Sequence, residues 1–72
     1  MYAGISVDCG KKDMWEVQSE VEALMPAGFD PDGGGAMIGD NVRDIYFDCP
    51  GKKELKKFVA LLREKGYNVV SD

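Results

Sequence analysis

Apolar and polar residues alternate at the start of the chain, where Ala3, Ile5 and Val7 are separated by Gly4, Ser6 and Asp8. A period of two sends successive side chains to opposite sides of an extended backbone, so residues 2–8 are predicted to form a half-buried strand. The period then lengthens. Met14, Val17, Val21, Leu24 and Met25 recur at steps of three and four, which gathers them on one face of a helix. Asp13, with Glu16 three positions on, is a capping pair for the start of that helix. Pro26 and Gly28 end it.

The same succession returns forty residues later. Ile5-Ser6-Val7-Asp8-Cys9 corresponds to Ile45-Tyr46-Phe47-Asp48-Cys49, and Gly10-Lys11-Lys12-Asp13 corresponds to Gly51-Lys52-Lys53-Glu54 once Pro50 is allowed as an insertion. At the shifted offset Met14, Val17 and Val21 fall on Leu55, Phe58 and Leu62. Residues 2–25 and 43–65 therefore read as two copies of a strand-then-helix unit. In the second copy the strand covers Arg43 to Asp48, and Pro50 suits a first helical turn. Leu55, Phe58, Val59 and Leu62 make the buried stripe, and Gly66 offers a left-handed C-cap. Tyr67 to Val70 is the last strand.

Between the copies, Phe29 to Gly35 is rich in turn residues and reads as a connection containing three glycines. Ala36 to Gly39 is a short apolar stretch. With Asp40-Asn41 as a two-residue turn, it is expected to form a hairpin with residues 42–48. The element order is then β-α-β-β-α-β in a single domain, residues 1–72. Two interleaved right-handed β-α-β units resemble the ferredoxin-like α+β fold, an antiparallel sheet with both helices on one face and strands one and three at its centre.

With 72 residues, the chain can bury only about 60% of the surface it exposes when unfolded, enough for one core. Its 44% hydrophobic and 31% charged fractions are those of a globular protein. No apolar run approaches a membrane span, and residues 1–12 lack the charged start and apolar centre of a signal peptide. The expected location is the cytoplasm.

Charge sharpens the picture. Formal charge is −4, and it is unevenly spread: residues 1–48 hold ten acids against three bases, whereas residues 49–72 hold three acids against six bases. With no histidine, and with serine only at Ser6, Ser19 and Ser71, no nucleophile has an evident base. The chain is therefore not expected to be an enzyme or to carry a cofactor.

Three features remain as candidate chemistry. Asp8-Cys9 and Asp48-Cys49 end the two central strands and are expected at the same edge of the sheet. Neighbouring strands lie about 4.8 Å apart, close enough for a disulfide between Cys9 and Cys49. Two reduced core thiols are the alternative. A zinc site is disfavoured, since histidine and any C-x-x-C pair are missing.

The second feature is the sheet face turned away from the helices, where Ser6 and Asp8 should lie beside Asp44, Tyr46 and Asp48. RNA-recognition domains of this fold place aromatic and basic groups on those strands. Here the positions are acidic and would repel phosphates. The third is the run Asp13, Glu16 and Glu20 on the first helix, at spacings where like charges repel.

In size, acidity and lack of catalytic residues the chain resembles the small phage proteins called anti-CRISPRs, several of which imitate DNA. That resemblance is one of type and rests on no shared motif. It implies an inhibitor acting in a bacterial host that presents Asp8, Asp13, Glu16, Glu20, Asp44, Tyr46 and Asp48 to a basic nucleic-acid-binding complex such as a CRISPR effector. No direct contact with nucleic acid or membrane is implied. The competing expectation is a small regulatory or ligand-sensing domain in which an exposed edge strand or the sheet face pairs with a second copy; strand two, Ala36 to Gly39, has an uncharged edge that would invite pairing. A monomer and a homodimer both remain open.

Overall fold

The computed structural model describes residues 1–36 and 41–71. In chain order its elements are β1 (Tyr2–Asp8), α1 (Met14–Ala23), β2 (Asp30–Ala36), β3 (Val42–Asp48), α2 (Lys52–Glu64) and β4 (Asn68–Ser71). The strands form one sheet in the order β2-β3-β1-β4, with every neighbouring pair antiparallel. This is the α+β, ferredoxin-like layout that the two periodicities predict.

The start of α1 and the end of α2 each have a local cause. Asp13 sits in extended conformation before α1, and its carboxylate accepts a hydrogen bond from the Trp15 N–H at 2.8 Å. That satisfies one of the donors a helix start leaves unpaired. At the end of α2, Gly66 takes φ +97°. The Tyr67 N–H then reaches back to the Leu62 carbonyl at 2.9 Å and the Gly66 N–H to that of Arg63 at 3.1 Å. This paired closure needs a left-handed residue, which glycine supplies without a Cβ clash.

Both helices cover the same side of the sheet. Val17 and Val21 from α1 meet Phe58, Val59 and Leu62 from α2 over Ile5, Val7, Ile45 and Phe47, all of them buried. Phe29, Phe47 and Phe58 form an aromatic cluster with ring centroids 5.1 to 5.8 Å apart. Offset and edge-on contacts at such distances add to the burial of the rings themselves.

Strand two departs from expectation. The stretch read as a connection, Asp30 through Gly35, is itself a strand that ends at Ala36; Met37 to Asp40, and with them the proposed hairpin turn, lie outside the described residues. The strand is at the edge of the sheet and pairs on one side only, which is where a sheet tolerates a proline such as Pro31. A register shift between Pro31 and Gly34, with Gly33 at φ +85°, absorbs the awkward residues. Pairing with β3 outweighs a poor local preference for extended structure. Pro31, Asp32 and the bulge also guard this edge against a second strand. The last strand is Asn68–Ser71, one residue later than the apolar pattern predicts.

The register of the central pair overturns another expectation. Tyr2 lies opposite Asp48 and Asp8 opposite Val42, so the two Asp-Cys pairs occupy opposite ends of the sheet. The Cys9 N–H bonds the Asn41 carbonyl and the Cys49 N–H that of Met1, each at 2.8 Å. Both thiols are buried and free, and the Cys9–Cys49 disulfide is excluded by the direction of the strands. The repeat equates Ile5 with Ile45, and the register sets Ile5 against Ile45. The pseudo-twofold axis relating the two halves therefore passes between these isoleucines.

Candidate binding surface

The face of the sheet without helices collects the side chains that alternate with the core residues. Tyr2, Ser6 and Asp8 come from β1, and Asp44, Tyr46 and Asp48 from β3. Asp30 of β2 stands opposite Asp48. Asp32 is near enough for its charge to act on the Tyr2 hydroxyl. Among the described residues, five carboxylates thus belong to this face. The strands contain a single basic residue, Arg43, and it is buried on the helix side with 6% of its surface exposed.

Two of these acids have local partners. The Asp44 carboxylate accepts from the Ser6 hydroxyl at 2.6 Å, and the Asp8 carboxylate from the Gly10 N–H at 3.0 Å. Tyr46 lies across Gly4: a Cβ at Gly4 would fall 2.8 Å from Tyr46 Cδ1, so the ring can settle there only because glycine has no side chain. Its plane is within 6° of that of Tyr2, with the centroids 6.2 Å apart. Both rings are exposed. The Tyr2 hydroxyl is pushed above the ordinary phenol value, first by desolvation and then by the charge and hydrogen bonding of Asp32.

The remaining predicted residues lie elsewhere. Asp13, Glu16 and Glu20 ride on or cap α1, in the layer behind the sheet, and do not join the open face. Asp13 is occupied as the cap. Glu20 accepts a hydrogen bond from the Tyr67 hydroxyl at 2.6 Å and lies 3.5 Å from the Lys12 ammonium. The Tyr67 bond, with help from Lys12, holds the Glu20 carboxyl below its usual range, and Glu20 in turn pushes the Tyr67 hydroxyl up to about 12. The seven predicted residues thus divide: Asp8, Asp44, Tyr46 and Asp48 share one surface, and the three helical acids do not reach it.

Sequence reasoning missed Tyr2, Asp30 and Asp32. Tyr2 was detectable, because it occupies the same alternating positions as Ser6 and Asp8. The two aspartates are hidden because Asp30 to Gly35 carries no apolar alternation that would mark a strand. Also unforeseen was a buried polar chain behind the sheet. The Arg43 Nε–H donates to the Gln18 side-chain carbonyl at 2.6 Å, and the Gln18 amide donates to Glu22 at 3.0 Å. The exposed Trp15 ring lies 4.3 Å from the Arg43 guanidinium carbon and covers the charge.

A cleft at the other end of the molecule is lined by Asp8, Cys9, Lys12, Lys65, Tyr67 and Asn68. It lacks an activated nucleophile. Desolvation raises the Cys9 thiol above its ordinary value, and the thiol donates to the Val7 carbonyl at 3.6 Å. Among the described residues no helix is long and apolar enough to cross a membrane. The chain matches no protein-family model, no curated protein and no solved structure.

Proposed function

We propose that this protein is a non-enzymatic acidic binder that occupies the cationic nucleic-acid site of another protein, as a DNA-imitating phage inhibitor does to a CRISPR effector. The observation that carries the reading is the segregation of charge. Five aspartates share the open face of the sheet, and no lysine or arginine stands among them at a strand position. The bases of α2 lie in the opposite layer. A partner groove lined with lysine and arginine, made for phosphates, is the complement of such a face.

The dimerising alternative has less support. Its edge-strand route needs an uncharged, unprotected strand two, whereas β2 carries Asp30, Pro31, Asp32 and a bulge, and its sheet-face route would set five aspartates against the same five of a second copy.

The test is displacement of labelled duplex DNA from a panel of purified CRISPR effectors and other DNA-binding complexes. Displacement by the native protein, lost in Asp30→Lys/Asp48→Lys and retained in Glu16→Lys, is the expected result. If no complex in the panel releases its DNA, or if the sheet-face double variant displaces as well as the native protein, the reading fails.

A further inference from the structure

The open face carries more than negative charge, and its second component narrows what can dock there. Tyr2 and Tyr46 are diagonal neighbours on β1 and β3, both exposed, with their planes within 6° of each other. Tyr46 is laid across Gly4. Carboxylates border the pair: Asp48 is directly opposite Tyr2, and the charge of Asp32 acts on the Tyr2 hydroxyl. A surface meant only to keep a small protein soluble has no need of two aligned phenol rings on its acidic face. Nucleobases also stack on such rings, but the flanking carboxylates oppose the phosphates that accompany them.

We propose that this platform is an arginine-reading site: a guanidinium from a basic partner lies over the tyrosine rings and directs its N–H groups to Asp48 or Asp32. The inference rests on the reading of the face as a dock for a cationic protein, and it names the side chain recognised. Arginine fits the site better than lysine for two physical reasons. Its planar, weakly hydrated guanidinium stacks on an aromatic face, and its forked donors match a carboxylate in a way that a compact ammonium does not. Cations are drawn to the electron-rich faces of phenol rings when they approach within about 6 Å of the centroid.

The experiment compares hexa-arginine with hexa-lysine, two peptides of equal charge, titrated into the isotopically labelled full chain at low salt and followed by amide and aromatic chemical shifts. Hexa-arginine is expected to bind about two- to fivefold more tightly, the range that exposed cation–ring contacts supply. Its shifts should centre on Tyr2, Tyr46 and Asp48. In Tyr2→Leu/Tyr46→Leu, which keeps apolar bulk and every charge, that preference should vanish while hexa-lysine binds as before. The amide spectrum reports whether the variant is still folded, and the single variant Tyr46→Leu repeats the measurement if the double variant is not.

Equal affinity for the two peptides, or an arginine preference that survives loss of the rings, overturns the arginine site and leaves the acidic face as a general cation dock. Failure of both peptides to bind at low salt overturns the arginine site and the proposed function together.

Discussion

Tyr67 and Glu20 show how two side chains can tie α1 to the start of β4 and write a pH dependence into the fold. Glu20 is held below the usual carboxylate range chiefly by the Tyr67 hydroxyl, and Tyr67 is pushed up to about 12 chiefly by Glu20. The lowered group favours folding above its unfolded value, and that contribution is lost as pH falls through the depressed Glu20 value. The raised group favours folding below the ordinary phenol value of 10.0, and that contribution is lost as pH climbs toward about 12. Denaturant unfolding as a function of pH should therefore lose stability at both limbs. Tyr67→Phe should flatten most of the alkaline limb, with the raised Tyr2 and Cys9 groups keeping a remainder, and the acid limb in part, because Lys12 still supports Glu20. A variant whose two limbs match those of the native protein would show that the pair is not coupled to folding.

Among the elements, β2 depends most on what a single atom would meet. A Cβ on Gly34 would come 2.5 Å from the Asp44 carbonyl and 2.8 Å from Gln18 Oε1, so the strand can approach β3 there only without one. Gly34→Ala should cost about 1–3 kcal/mol through forced backbone displacement. A Cβ on Gly35 meets nothing within 4 Å. Gly35→Ala should accordingly stay within about 0.5 kcal/mol of the native protein, as surface changes usually do. Thermal or denaturant unfolding of the two variants side by side tests the contrast. The same strand marks the limit of what the sequence makes legible. β1, α1, β3 and α2 each bury one face and so carry a hydrophobic period. β2 pairs through its backbone at the edge of the sheet, and Asp30-Pro31-Asp32-Gly33-Gly34-Gly35 has no apolar side chain beyond the proline to betray it. Without a period in β2, Asp30 and Asp32 do not show in the sequence as surface residues, while Asp8, Asp44, Tyr46 and Asp48 follow from alternation alone. The three helical acids were grouped with them on charge, which says nothing about which layer a residue occupies.

For the whole molecule, the net charge of −4 matters less than its separation between the open sheet face and the α2 side. Electrostatic encounter with a cationic partner should be fast and strongly screened, falling by about tenfold in on-rate between about 0.05 M and about 0.5 M salt, while dissociation changes less. Stopped-flow or surface-binding kinetics with a complex whose DNA the protein displaces would show this, and an on-rate insensitive to salt would speak against charge as the driving force. Lys56→Glu on α2, outside the proposed surface, should leave binding intact or quicken it. The axis between Ile5 and Ile45 has a further consequence. When two copies of a motif pair head to tail, each residue meets its counterpart only on the axis, and every other matched pair is driven apart in proportion to its distance from it. Cys9 and Cys49 are thus kept out of each other's reach however oxidising the surroundings become. Asp8 and Asp48 are held as two separate poles, so a doubled sequence yields a charged strip with some length to it where a single focus would otherwise have formed.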